Sequence, residues 1–257
     1  MVALLLDMDG VLYEGEYAVP GASEAVLWLR EQHIPHLFLT NTTSRPRSAL
    51  VEKLAGLGIE VDRDSILTPP VAAVAWLKAH APGPAAIFVP EATANDFEAL
   101  PQLPREATSG AASVVIGDLG SAWDFDTLNR AFRLLMGEPR PVLTALGMTR
   151  YWRAPDGLRL DVAPFIAALE CATGCRAVVL GKPAGPFFEA AMGRLHCSAE
   201  EVVMIGDDIV GDVDGAQRAG MRGVLVRTGK FRDSDLESEI RPDAVLDSIA
   251  DLPDWCQ

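Results

Sequence analysis

Short runs of apolar residues recur along the chain, and each stops abruptly on polar side chains. Leu4-Leu5-Leu6 stops on Asp7-Met8-Asp9-Gly10, and Pro35-His36-Leu37-Phe38-Leu39 on Thr40-Asn41-Thr42-Thr43-Ser44. Ala177-Val178-Val179-Leu180-Gly181 stops on Lys182-Pro183, and Val202-Val203-Met204-Ile205-Gly206 on Asp207-Asp208. Runs this short, bounded by turn signals, read as fully buried strands. The segments between them have helical periodicity: one helix from Pro20-Gly21 to about Gln32, one capped by Ser44 with Pro46 in its first turn and ending at Leu57, one reaching Leu195 and one closed by Gly220. Gly10 to Val19 reads as a loop or small flap. Arg222 to Val226 supplies another strand, and Ala244-Val245-Leu246 a short edge strand. Strands alternating with helices in this way predict an α/β fold, a Rossmann-like doubly wound parallel sheet.

The middle of the chain repeats the alternation. Helices are expected near Val71 to Ala79, Ala92 to Leu100 and Asp124 to Met136, with strands at Ala85 to Val89, Ser113 to Ile116 and Pro141 to Ala145. Gly147 to Leu160 reads as a loop or hairpin, and Asp161 caps a helix to about Thr173. The stretch from Asp7 to Thr40 has room for one flap, one helix and one strand. The stretch from Asn41 to Lys182 far exceeds the few dozen residues of a βαβ crossover, so a second α/β unit is inserted there. The expected division is a core of residues 1–70 and 178–257 and an inserted cap of residues 71–177.

In a parallel sheet the carboxyl ends of the strands open on one edge, where ligands bind. That edge collects Asp7, Asp9, Thr40, Asn41, Lys182, Asp207 and Asp208, with Asp212 close behind. Asp7 and Asp9, two apart on a strand, share a face; either a cation separates them or one keeps its proton. An isolated Asp-x-Asp-Gly also forms an ordinary solvated turn, and Thr40 to Ser44 alone is compatible with a simple cap-and-turn cluster. Together, however, the groups comprise carboxylates for a hard divalent cation, a nucleophile, donors for phosphoryl oxygens and a charge-neutralising lysine.

Composition narrows the field. The 257 residues are 49% hydrophobic, enough for a sizeable core, and 22 Lys plus Arg against 36 Asp plus Glu leave a net charge of −14. Broad attraction to nucleic acid or anionic membrane is disfavoured, so an anionic substrate needs a local positive site. Met1-Val2-Ala3-Leu4 runs directly into a core strand without a targeting pattern, and no apolar stretch reaches the ~20 residues of a membrane span; the expectation is a soluble cytoplasmic protein. Cys171, Cys175, Cys197 and Cys256 have neither a disulfide framework's density nor a second zinc-spaced pair, and read as buried thiols.

The four motifs Asp7-Met8-Asp9-Gly10-Val11-Leu12-Tyr13, Thr40-Asn41, Lys182-Pro183 and Gly206-Asp207-Asp208 with Asp212 resemble those of the haloacid dehalogenase (HAD) superfamily phosphatases. The resemblance spans nearly the whole chain. It implies Mg²⁺ held by Asp7, Asp9 (through its carbonyl) and Asp207, with Asp208 and Asp212 acting through water or holding the shell. It also implies Asp7 as the nucleophile that becomes an aspartyl-phosphate, Asp9 as general acid/base, and phosphate contacts from Asp7, Asp9, Thr40, Asn41 and Lys182. Lys182 pairs with both nucleophile and phosphate.

The insertion after Asn41 resembles the C2 cap of subfamily IIA, which is NagD-like. Arg150-Tyr151-Trp152 with Asp156-Gly157-Leu158 resembles the branch that contains the phospholysine phosphohistidine inorganic pyrophosphate phosphatases. Thr144-Ala145-Leu146-Gly147 stands where many members carry Thr-Asn-Pro-Asp. The implied substrate is a small phosphorylated metabolite, pyrophosphate or an N–P compound, with a homodimer as a further implication. The alternative is a phosphate-responsive binding or signalling protein with little turnover; the second aspartate, Asp9, favours hydrolysis. Arg150, Tyr151 and Trp152 are either a recognition surface, a dimer contact or cap core with Trp152 buried beneath the Asp161 helix.

Overall fold

The computed structural model describes residues 3–154 and 156–256; the Met1-Val2 start and Pro155 of the expected hairpin lie outside them. In chain order the strands are β1 Ala3–Asp7, β2 Tyr13–Glu14, β3 Tyr17–Ala18, β4 His36–Leu39, β5 Ile66–Leu67, β6 Ala85–Phe88 and β7 Ser113–Ile116. They continue with β8 Val142–Ala145, β9 Tyr151–Ala154, β10 Gly157–Leu160, β11 Val178–Val179, β12 Val202–Gly206, β13 Arg222–Val226 and β14 Ala244–Leu246. Two compact units result, one of Met1–Thr40, Arg47–Leu67 and Lys182–Gln257, the other of Asn41–Pro46 and Thr68–Gly181.

The first unit is built on a parallel sheet in the order β14-β13-β12-β1-β4-β5. Strand order reverses at β1, the kind of switch point where a parallel sheet opens a crevice beyond its carboxyl ends. Every residue of β1 is buried, as continuous apolar runs in such sheets demand. Leu4 and Leu6 point to the face shared by Phe38, Val203, Ile205 and Val224, where Ala22, Ala25, Val26 and Leu29 of the helix Ala22–Glu31 pack. Truncating a fully buried leucine here to alanine removes about 2–5 kcal/mol, so β1 is strongly fixed in register. The flap is the small antiparallel hairpin β2–β3.

The second unit carries the parallel sheet β11-β8-β7-β6 and, separately, the antiparallel hairpin β9–β10. Asp124 caps the helix Phe125–Leu135 by accepting from Thr127 N at 2.8 Å, and Asp161 caps Val162–Thr173 through Val162 N at 2.8 Å. Both caps are in the sequence as an acid directly before an apolar period.

Four expectations require correction. The run Ala177 to Lys182 is not a core strand: Val178 and Val179 pair with Thr144 and Ala145, and Leu180 N bonds Ala145 O at 2.8 Å, so this segment completes the second unit's sheet. Lys182 therefore begins the return to the core, and the second unit extends to Gly181 rather than ending at 177. The helix after Thr40-Asn41 spans Arg47–Gly56, so Ser44 lies too far ahead to cap it; the residue before a proline disfavours helical conformation, which accords with a start after Pro46. Helix 92–100 is only Glu91–Ala94, followed by a 3-10 turn at Asn95–Phe97. Finally, Trp152 is not cap core: it is 40% exposed and Tyr151 54%.

Candidate active site

The carboxyl ends of β1 and β12 set the site. Asp7 is the last residue of β1 and is buried; its Oδ1 accepts from Met8 N at 2.8 Å and pairs with Lys182 Nζ at 2.7 Å. The same ammonium reaches Asp212 Oδ1 at 2.7 Å, so Lys182 bridges two buried carboxylates. Asp212 lies in the wide turn of helix Ile209–Asp214, and its Oδ2 accepts from Asp208 N at 3.1 Å. Gly206 is required for this arrangement, since a Cβ there would stand 2.2 Å from Asp212 Oδ2.

Asp207 follows β12 directly. Its Oδ2 takes the backbone N–H of Lys230 at 2.7 Å, whereas its buried Oδ1 has no hydrogen-bond partner among the described residues. Asp208 turns the other way: its Oδ1 accepts from Val210 N (3.1 Å) and Gly211 N (2.8 Å), and its Oδ2 meets Lys230 Nζ at 3.3 Å. Asp208 is thus the cap of the following helix.

Asp9 departs from the strand-face expectation. β1 ends at Asp7 and the chain turns at Gly10 with φ +83°, so the two-residue period no longer applies; Asp9 is exposed and stands apart from the group that crowds together. That group is Asp7, Asp207 and Asp212, each with a carboxylate oxygen within 4.8 Å of the others. Thr40, buried, lies one residue beyond Leu39, the register partner of Asp7. Asn41 groups with the second unit, where a Cβ on Gly181 would come within 3.1 Å of its Oδ1.

Burial raises all three clustered carboxyls. Asp7 goes up despite the attraction of Lys182. Asp207 is pushed up to about 6, against the Lys230 N–H and ammonium and with help from Asp212; Asp212 is pushed up to about 7 by burial and by Asp7. Burial alone would lower the Lys182 ammonium, but Asp212 and Asp7 outweigh it and hold the lysine charged. Asp208 falls below the usual range because the Gly211 N–H and Lys230 overcome its burial. Three hard oxygen donors, a buried carboxylate oxygen without a donor and carboxyls resisting ionisation together fit a divalent cation.

Glu14, Thr228, Gly229 and Lys230, to which none of the four motifs gives a role, also touch this cluster or its supports. The available signal was the end of β13, where Val226 gives way to Arg227-Thr228-Gly229-Lys230 at the same edge of the sheet. A cavity of about 390 Å³ lined by Leu29, His33, Phe38, Val61 and Ser65 opens elsewhere, at the amino-terminal ends of β4 and β5, and contains none of these groups.

A parallel sheet whose central strand ends on a buried aspartate, with a lysine shared between that aspartate and a second one, is chemically suited to a hydrolase acting on a phosphorylated group. The chain belongs to the haloacid dehalogenase-like hydrolase family: residues 4–100 match that family and residues 179–252 a HAD-hydrolase-like one. It is 40% identical over 256 residues to the human phospholysine phosphohistidine inorganic pyrophosphate phosphatase, covering 98% of this chain and 92% of that protein. Among solved structures it superposes on the p-nitrophenyl phosphatase of Archaeoglobus fulgidus with a TM-score of 0.86, 26% identity and coverage of 99% and 98% of the two chains. The fold is also that of NagD from E. coli K-12, with a TM-score of 0.86, 22% identity and 97% of each chain covered. The protein is a phosphatase with the NagD-like fold of subfamily IIA. Among the described residues no helix is long and apolar enough to cross a membrane.

Proposed function

We propose that the protein is a Mg²⁺-dependent phosphatase that cleaves small phosphorylated compounds through an aspartyl-phosphate on Asp7. The observation that carries this reading is the Lys182 ammonium, 2.7 Å from both Asp7 Oδ1 and Asp212 Oδ1, in a cluster with Asp207, whose Oδ1 has no hydrogen-bond partner among the described residues. Asp7, Asp207 and Asp212, with Asp9 through its carbonyl, are the groups available to Mg²⁺, directly or through water. Bound there, Mg²⁺ supplies positive charge for phosphoryl oxygens as negative charge builds on them.

Lys182 and Met8 N fix Oδ1 of Asp7, which leaves Oδ2 to attack phosphorus in line with the leaving group. Asp9, exposed beyond the end of β1, protonates the departing atom as its bond to phosphorus breaks. It then takes a proton from the water that attacks the acyl phosphate, which releases inorganic phosphate and restores Asp7. Thr40 and Asn41 supply donors for the phosphoryl oxygens. The name of the human relative places phospholysine, phosphohistidine and pyrophosphate at the head of the substrates to try. A screen of these with phosphorylated metabolites, with hydroxylamine present, should reveal Mg²⁺-dependent phosphate release and a hydroxamate on Asp7. Hydrolysis without any hydroxylamine-sensitive phosphoryl group would exclude the covalent route.

Stability should report the cation independently. Asp207 and Asp212 hold protons in the folded state up to about pH 6 and 7, whereas the unfolded chain releases them near 3.8. Their contribution to the metal-free protein is therefore greatest below about pH 4 and is lost as pH rises towards 7. Mg²⁺ competes with those protons, so the melting-temperature gap between millimolar Mg²⁺ and EDTA should open between pH 5 and 8. A gap that is absent, or constant across that range, would remove the cation from this cluster.

A further inference from the structure

The loop Thr228-Gly229-Lys230 after β13 makes a set of contacts that the reaction above does not use. Thr228 Oγ1 donates to Gly10 O, Gly229 N donates to Glu14 Oε1 of the flap at 2.6 Å, and Lys230 N donates to Asp207 Oδ2 at 2.7 Å. Gly229 has φ +67°, a left-handed turn that lets two successive N–H groups form an anion-binding nest, here filled by two carboxylates of the protein itself. There is no spare room. A Cβ on Gly229 would lie 2.1 Å from Asp207 Oδ2 and 2.5 Å from Gly10 Cα, and a Cβ on Gly10 would lie 2.0 Å from the same Oδ2. The Asp207 carboxylate is thus held in a slot between two glycines, with one oxygen consumed by Lys230 N and the other left without a donor among the described residues.

We propose that Gly229 and Lys230, through their adjacent backbone N–H groups, are positioning residues that fix the Asp207 carboxylate towards the cation and latch flap residue Glu14 to the same loop. The inference rests on the metal-dependent reading above. Asp207 Oδ2 is anchored so that Oδ1 is presented as a ligand atom at no cost in reorganisation when the cation arrives. Because Glu14 fills the neighbouring N–H, loss of its carboxylate frees Gly229 N and, in the next peptide group, the donor to Asp207. Flap and metal seat therefore share one support.

The test is direct binding of Mn²⁺ alone, followed by electron paramagnetic resonance or calorimetry on the whole chain without substrate. Gly229→Ala should weaken Mn²⁺ binding by roughly ten- to a hundredfold, the range of losses when groups that orient metal ligands are removed. Glu14→Ala should weaken it by about three- to tenfold, and Glu14→Gln, which keeps an acceptor oxygen for Gly229 N, should recover most of the loss. In turnover, the Glu14→Ala defect should appear as a raised half-saturating metal concentration, with kcat largely restored at high metal. If Gly229→Ala fails to fold, the Glu14 pair carries the test. Wild-type affinity in Gly229→Ala and Glu14→Ala, or Gln no better than Ala at position 14, would overturn the positioning role. Failure of the wild-type protein to bind Mn²⁺ would instead overturn the metal-dependent reading beneath it.

Discussion

Asp7→Asn is expected to reduce turnover by roughly three to six orders of magnitude while leaving the fold intact. The amide keeps an acceptor for Met8 N and the volume of the buried side chain, but it removes the nucleophilic oxygen and one charge from the cluster. Burial makes the ionised Asp7 costly even with Lys182 beside it, so the neutral variant should melt no lower than the wild type without metal. The Mg²⁺-induced rise in melting temperature should shrink at the same time. Turnover close to wild type in this variant would sink the mechanism, and loss of activity accompanied by unfolding would leave the role of Asp7 to a conservative second variant, Asp7→Glu, which keeps the charge but displaces the oxygen.

Lys182→Met should damage both stability and catalysis. The side chain is buried and its ammonium is the group that separates Asp7 from Asp212, so its removal leaves two buried carboxylates facing each other without a cation between them. Breaking a buried pair in this way costs about 3–5 kcal/mol, or a fall of roughly 10 °C in a chain of this size. The loss should be largest near pH 8 and smaller near pH 5, where Asp7 and Asp212 relieve the repulsion by taking up protons. Mg²⁺ should recover part of the stability and none of the turnover. A melting temperature independent of pH in this variant would show that the two carboxylates are not held together by the lysine.

Much of this arrangement is legible in the sequence, for a physical reason. A strand buried on both faces has to be apolar throughout, so the residue at which Leu4-Leu5-Leu6 or Val203-Met204-Ile205 yields to aspartate marks where the sheet meets solvent or ligand. The helix caps at Asp124 and Asp161 were equally visible, because capping is a local contest between one side chain and the next few N–H groups. Pairing is not local. Val178-Val179 has the same composition whether it joins β12 or β8, and nothing within the run says which sheet claims it. The two-residue strand period does not reach Asp9, because β1 ends at Asp7 and the chain turns at Gly10. Gly229 carries no local signal, because its requirement comes from a carboxylate that follows another strand and a flap near the amino terminus. The two-residue strand β5 was also invisible, being too short to show a period.

The seams of the chain have an evolutionary consequence. Asp7, Asp9, Asp207, Asp208, Asp212, Lys182 and Lys230 all belong to the unit that flanks residues 68–181, and Lys182 is the first residue after that stretch ends. The bonds described above that fix the carboxylates are made within the flanking unit, to Met8, Lys182, Asp208, Val210, Gly211 and Lys230. Descent can therefore rewrite, lengthen or exchange the stretch between Leu67 and Lys182 without severing any of these bonds, because the stretch is held to the rest of the chain at its two ends and contributes none of them.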